Sequence, residues 1–183
     1  MTPALLHISH YWFVPQPTES HHWFGAGFLF FGAILLVESV AGGVWFRSKL
    51  RSALWPAGAM FMGEGLVIVA FLDPQDRLIH LSVGILVLIA GWVEMRYRFG
   101  QTSRFSADIF VVPALLSSGF EMGVVHGKGE MITAIGHGVM GMTAAMMAGA
   151  RIYQARQPTS LGRSLLTGSL ITCLALILLV FQP

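Results

Sequence analysis

Residues 78–95 read LIHLSVGILVLIAGWVEM, and this stretch decides the fold class. It is an apolar run of nearly the length that a helix needs to cross a hydrocarbon core, and similar runs recur along the chain. The chain has 183 residues, of which 55% are hydrophobic and only 11% are charged. Because a soluble domain carries about a quarter charged residues, this composition predicts an integral membrane protein.

Six apolar runs of this kind predict an all-α fold, a bundle of six transmembrane helices. The predicted spans are residues 23–45, 52–72, 78–95, 105–125, 131–150 and 165–181. Residues 1–22 are predicted to form an interfacial lead-in and residues 23–183 the transmembrane domain. Aromatic residues in the lead-in suit a membrane interface, and Pro15 and Pro17 are expected to break a helix there.

Basic residues are distributed unevenly among the predicted loops. Nine follow spans one, three and five: Arg47, Lys49, Arg51, Arg96, Arg98, Arg104, Arg151, Arg156 and Arg163. Only Arg77 and Lys128 follow spans two and four. The positive-inside rule therefore predicts that both termini are extracytoplasmic. The lipid bilayer is the expected partner, with other membrane subunits or a homo-oligomer as further candidates, and the charge pattern does not indicate nucleic acid.

A shift of 57 residues superposes predicted spans two and three on spans four and five. It aligns Pro56 with Pro113, Ala57 with Ala114, Glu64 with Glu121, His80 with His137, and Gly84 with Gly141. Glutamate and histidine are rare inside membrane helices, so their matched positions matter most. The pattern predicts an internal repeat of a helical hairpin, and coincidence among glycine-rich apolar segments is the alternative.

Six ionisable residues from five predicted helices fall at one depth, in the outer half of the bilayer. They are His22, Glu64, His80, Glu121, His126 and His137. A charge in hydrocarbon costs about 2.5–3.5 kcal/mol on insertion scales, so these side chains are expected to face one another. Imidazoles and carboxylates suit zinc, iron or copper, and nearby methionines such as Met60 and Met140 would favour copper. We predict an intramembrane metal site with these six as ligands and with Glu64 and Glu121 as candidate general bases.

The same residues allow other interpretations, so enzymatic activity is left open. In an electron-transfer subunit, His80 and His137 would ligate haem b, with Gly84 and Gly141 making room for the macrocycle. In a structural or assembly subunit, the histidines, glutamates and the serines of span four would form interhelical hydrogen bonds. A proton or ion path and pigment binding are further alternatives.

A second polar group is predicted at the inner side of the bundle. Its members are Glu38, Glu94, Asp108, Arg96, Arg98 and Arg104. Opposite charges at this depth are expected to form salt bridges at the interface. Glu38 is the deepest of them, and it is the candidate for an inner extension of a proton path.

Short motifs surround the polar residues of spans one to five. They are His21-His22-Trp23-Phe24-Gly25 with Phe28 and Gly32, Glu64-Gly65-Leu66-Val67-Ile68-Val69, His80 with Gly91 and Glu94, and Glu121 with His126-Gly127-Lys128, Glu130-Met131 and His137. Together these motifs resemble the transmembrane protein 45 family of eukaryotic membrane proteins. That family has no settled biochemical activity, so the resemblance supports the polar site and leaves the reaction open.

The chain departs from that family in three respects. It has six predicted spans where the family is usually drawn with seven, and it lacks the long loop between the helices that correspond to spans two and three. The glutamate-to-histidine distance in its second hairpin is also shorter by about one turn.

Overall fold

The computed structural model describes residues 17–72, 76–125, 131–156 and 161–180. The regular structure of these ranges is helical, which confirms the predicted all-α class. Its six α-helices are α1 (Pro17–Ala41), α2 (Lys49–Leu72), α3 (Arg77–Arg98), α4 (Arg104–Phe120), α5 (Met131–Arg156) and α6 (Leu161–Val180). A 3₁₀ turn, Gly42–Arg47, follows α1, and a π-helical turn, Glu121–Val125, continues α4.

Local sequence explains several helix ends. Pro17 was expected to break a helix, but it is the first residue of α1. Proline fits that position because the amide it lacks would have no partner within the helix. Gly42 and Gly100 adopt positive φ values of 53° and 71°, which glycine tolerates readily, and they turn the chain after α1 and α3. Ser103 caps α4, since its hydroxyl accepts a hydrogen bond from the backbone of Ser106 at 3.1 Å.

The helices form a ring in chain order. Each helix packs against its neighbours in the sequence, and α6 closes the ring against α1. The pairs α2–α3 and α1–α6 share the most extensive contacts, whereas α1 and α2 contact each other much less. Buried side chains from α1, α5 and α6 form the larger apolar core, namely Leu35, Met140, Met147, Ile171, Leu174 and Leu178.

Large apolar side chains also cover the outside of the ring, among them Phe61, Phe71 and Phe105. A continuous surface of this kind matches hydrocarbon better than water. Among the residues that the structure describes, four segments are long and apolar enough to cross a membrane: His22–Ala41, Lys49–Leu72, Arg77–Arg98 and Arg104–Val124. The chain is therefore a helical membrane protein, whereas the count of six spans and the orientation of the termini stay predictions.

Glycines bring the helices of each hairpin into close contact. A methyl group on Gly63 of α2 would lie 2.9 Å from the carbonyl oxygen of Gly84 in α3. In the second hairpin, a methyl group on Gly119 would lie 2.8 Å from the carbonyl oxygen of Gly141 in α5. Small residues at such crossings let the two backbones of a hairpin approach closely.

Candidate functional site

A cavity of about 230 Å³ lies inside the ring. Each of the six helices contributes to its wall, with Phe28 from α1, Met62 from α2, His80 from α3, Ser118 from α4, His137 from α5 and Leu174 from α6. The wall consists mainly of aromatic, aliphatic and methionine side chains. Apolar cavities with a few polar groups are the usual form of a small-molecule site, so this space is the candidate functional site.

Three ionisable residues line one end of the cavity. His80 on α3, Glu121 in the π-helical turn and His137 on α5 are all buried and all line the cavity. The Nε2 atom of His80 lies 3.4 Å from Oε1 of Glu121. We call these three residues the His–Glu cluster. They offer imidazole and carboxylate groups that can exchange a proton or hold one polar group together.

The remaining predicted site residues do not join this cluster in the described part of the chain. His22 and Glu64 are exposed on the outside of α1 and α2, and His126 lies outside the described residues. Among the side chains that the structure describes, no group of three or more histidines, cysteines, aspartates or glutamates is arranged to hold a metal ion. The metal and cofactor assignments stay predictions.

The two glutamates of the predicted repeat occupy different faces of their helices. Glu64 directly follows the buried Gly63 of α2, whereas Glu121 is the second residue after the buried Gly119. Each added residue turns a side chain by about 100° around the helix axis. Glu121 therefore faces the cavity. Glu64 is the first residue after Gly63, just as the exposed Phe120 is the first residue after Gly119, so Glu64 lies on the outer face of its helix.

The histidine-bearing helices keep the predicted shift of 57 residues. His80 and His137 are both buried, and Gly84 and Gly141 both lie at helix crossings. The second hairpin holds one residue more between its crossing glycines, and the π-helical turn lies within that interval. A single π-helical turn accommodates one extra residue. This explains why the crossing glycines of α2 and α4 are 56 residues apart, whereas those of α3 and α5 are 57 residues apart. An origin of the two hairpins by duplication stays a prediction.

A network of buried ion pairs lies at the other end of the cavity, where Glu94 lines the wall. Arg98 donates hydrogen bonds to Glu38 at 2.7 Å and to Glu94 at 2.8 Å. Arg151 donates to Glu94 and to Asp108, both at 2.6 Å. These five residues, the ion-pair network, join α1, α3, α4 and α5. They show that Glu38, Glu94, Asp108 and Arg98, four members of the predicted inner polar group, do form ion pairs.

The other basic residues predicted for this group contribute less. Arg104 lies 3.6 Å from Asp108 on the same helix, beyond hydrogen-bonding distance. Arg96 is exposed, and its guanidinium stacks over the ring of Trp92 at 5.1 Å. The pairing of acidic with basic residues was therefore predicted correctly as a group, but not for each arginine.

The sequence reasoning missed Arg151, because it placed this residue at the end of a span, in a cytoplasmic loop. The structure buries its side chain to 12% exposure between two carboxylates. A signal was present, since Arg151 follows Glu94 by the same 57 residues that relate His80 to His137. Aligned positions need not be in contact, as Glu64 and Glu121 show, so this alignment marks Arg151 without predicting its partner.

The glycines that were expected to make room for haem serve helix packing. A methyl group on Gly84 would lie 2.9 Å from the side chain of Val67. A methyl group on Gly141 would lie 2.6 Å from the carbonyl oxygen of Gly119. Neighbouring helices fill the space beside both glycines, so this side of the histidines holds no room for a macrocycle.

The serines of α4 bond within their own helix. The hydroxyl of Ser117 donates to the carbonyl of Pro113 at 2.8 Å, and that of Ser118 donates to the carbonyl of Ala114 at 2.8 Å. Such bonds to the preceding turn are common for serine in apolar helices. Their hydroxyl hydrogens are therefore used within the helix, so the serines do not donate the interhelical bonds to glutamate that a purely structural cluster was expected to contain.

Comparisons with known proteins found no matching family model, no matching curated protein and no matching solved structure. The resemblance to the transmembrane protein 45 family stays a prediction on this basis. Function is therefore argued from the cavity and its polar ends, since a helical bundle by itself does not specify an activity.

Proposed function

We propose that this membrane protein binds an elongated, mainly apolar small molecule inside its helical ring. The length of the cavity carries the proposal. His80 and Glu94 both line it, and fourteen residues separate them on α3, which corresponds to about 21 Å of helix. A volume of about 230 Å³ spread over that length is narrow, so a linear chain fits it better than a compact ligand.

The two ends of the cavity differ in what they offer to a ligand. At the far end Glu94 is already engaged by two arginines, so the ion-pair network closes the cavity. At the near end the His–Glu cluster presents imidazole and carboxylate groups to the space. A lipid-like molecule would therefore place its hydrogen-bonding head at the His–Glu cluster and its chain between the apolar walls.

Lipid extraction from purified protein tests this proposal. Ala144 is buried and lines the cavity, so Ala144→Leu would fill part of the space, whereas Ala145→Leu places the same group on the exposed side of α5. We expect about one lipid-like molecule per chain in the parent and in Ala145→Leu, and at least a fivefold loss in Ala144→Leu, by quantitative mass spectrometry. Equal retention by the two variants would contradict the proposal, provided that their thermal unfolding temperatures agree.

A metal site is the second candidate, because two imidazoles and a carboxylate share one end of the cavity. His80, Glu121 and His137 would ligate zinc, iron or copper, with His126 as the further ligand predicted from the sequence. Glu121 would be the general base of a metalloenzyme. Glu64 is left out, as is His22, because both are exposed on the outside of the ring.

Elemental analysis of the purified protein tests the metal candidate. We expect His80→Ala and His137→Ala each to lower bound metal at least tenfold, because each would remove one of few ligands. His22→Ala is the matched control, since this histidine is exposed, and it should keep the parent's metal content. A Soret band in the absorption spectrum would instead identify haem b, and equal metal content in all three variants would reject the site.

A further inference from the structure

The far end of the cavity has a floor made by residues from four helices. They all line the cavity: Pro56 of α2, Gly91 of α3, Val111 of α4 and Met147 of α5. Gly91, Val111 and Met147 each lie about one helical turn from a member of the ion-pair network on their own helix. A methyl group on Gly91 would lie 2.9 Å from the carbonyl oxygen of Pro56, so α2 contributes at the same depth. We call these four the floor residues.

The distance from the His–Glu cluster to the floor residues is nearly the same on two helices. Eleven residues separate His80 from Gly91 on α3, and ten separate His137 from Met147 on α5. These intervals correspond to about 15–17 Å of helix. The hydrocarbon core of a bilayer is about 30 Å thick, so the chains of one leaflet extend over about 15 Å. The space between the cluster and the floor therefore has the length of the hydrocarbon chain of an ordinary membrane lipid.

The same space is narrow, and its floor is held in place by charge. The cavity volume of about 230 Å³ lies below the ~300–1,000 Å³ that is usual for small-molecule sites. Spread over the whole length of the cavity, this volume admits one extended chain and leaves no room for a second chain or for a tail that folds back.

Glu94 lines the cavity just beyond the floor residues, where it is 2% exposed and paired with Arg98 and Arg151. A longer tail would have to enter the ion-pair network and separate buried charges. That separation is costly, because each charge would lose its partner in an apolar surrounding. The far end of the cavity therefore limits how long a bound chain can be.

We propose that the ligand is a single-chain lipid whose tail has about the length of one leaflet, and that the floor residues select this length. The inference rests on the proposed function, to which it adds the number of chains and their length. Val111 is the specificity-determining residue, because its half-buried side chain lines the cavity, whereas Gly91 packs against α2 and Met147 belongs to the apolar core.

The chain lengths of the bound lipid test this inference. The protein is reconstituted in nanodiscs of a two-chain phosphatidylcholine and incubated with equimolar mixtures of straight-chain alcohols or fatty acids of graded length. The retained chains are quantified by mass spectrometry against empty nanodiscs. Val111→Phe enlarges the side chain at the floor, and Val111→Ala shortens it. Because each carbon adds less than about 1.5 Å to an extended chain, we expect the preferred length to fall by at least about two carbons in Val111→Phe and to rise by at least about one in Val111→Ala.

Ile109 provides the matched control, since it is a β-branched residue of the same helix with its side chain exposed on the outside of the ring. Ile109→Phe and Ile109→Ala should keep the preferred length of the parent. The same preferred length in the parent and all four variants, or a parent without any preferred length, would overturn the length selection while leaving the proposed function intact. Retention no higher than in empty nanodiscs would overturn the single-chain ligand, and the lipid extraction described above tests separately whether the cavity binds lipid at all.

Discussion

Glu94 is the most constrained acidic side chain described in this molecule. It is 2% exposed and it accepts hydrogen bonds from Arg98 and from Arg151, which come from two different helices. Each arginine in turn reaches a second carboxylate, Glu38 or Asp108. Planar guanidinium groups suit such divided contacts, which lysine could not reproduce with the same geometry. The two arginines of the ion-pair network, Arg98 and Arg151, therefore link four helices to one another.

We expect Arg151→Ala to cost about 3–5 kcal/mol in the free energy of unfolding, because it leaves Glu94 and Asp108 buried with fewer compensating charges. Arg96→Ala is the control, since Arg96 is exposed and stacks on Trp92, and it should cost about 1 kcal/mol or less. Denaturant unfolding in mixed micelles, followed by tryptophan fluorescence, measures both. Similar losses in the two variants would show that the network does not stabilise the fold.

At the scale of the helix, the contact between hairpin partners depends on glycine. Gly141 packs against the backbone of Gly119, whereas Gly138, one turn earlier on α5, has open space where a side chain would go. A comparison of alanine at the two positions therefore distinguishes the loss of close packing from the general effect of replacing glycine in a helix.

We expect Gly141→Ala to destabilise the protein by about 1–3 kcal/mol, because the new methyl group would lie 2.6 Å from a backbone oxygen that cannot rotate away. Gly138→Ala should be neutral or stabilising by up to about 1 kcal/mol, since alanine favours the helix. The same unfolding measurement compares them. A Gly141→Ala protein as stable as Gly138→Ala would mean that the backbones separate at little cost.

The sequence predicted the helices better than their faces. The predicted span 78–95 lies within α3 (Arg77–Arg98), because apolar length alone indicates a membrane helix. Its apolar character does not distinguish the two sides of a helix, since lipid and the interior of a ring both select apolar residues. Glu64 and Glu121 were therefore predicted to face each other, and a difference of one residue from a crossing glycine places them on opposite sides of the ring wall.

The sequence also predicted only part of the candidate site. His80 and Glu121 lie 3.4 Å apart and His137 lines the same cavity, since buried histidine and glutamate have few stable alternatives inside a membrane protein, but their role as a site stays a prediction. The apolar cavity between the two polar ends could not be predicted, since its wall residues resemble ordinary core residues in type and spacing. Only the ring arrangement of the helices creates that space.

For the molecule as a whole, the uneven distribution of arginine and lysine predicts the orientation in the membrane. We expect alkaline phosphatase, which is active only outside the cytoplasm, to be active when fused after residue 183 and inactive when fused after Gly100, between α3 and α4. A green fluorescent protein fused at the same two positions should give the opposite pattern. Activity after Gly100 would reverse the predicted orientation while leaving the fold unchanged.

The shared carboxylate of Glu94 also has a consequence for biosynthesis. Arg151 is synthesised 57 residues after Glu94, an interval of about 3–11 s at the usual rates of translation. Arg98 emerges only four residues after Glu94 on the same helix, so α3 can enter the bilayer with that acid already neutralised. Glu94 can therefore wait for α5 with one arginine already beside it, and Arg151 then ties α5 to α3 through Glu94 and to α4 through Asp108.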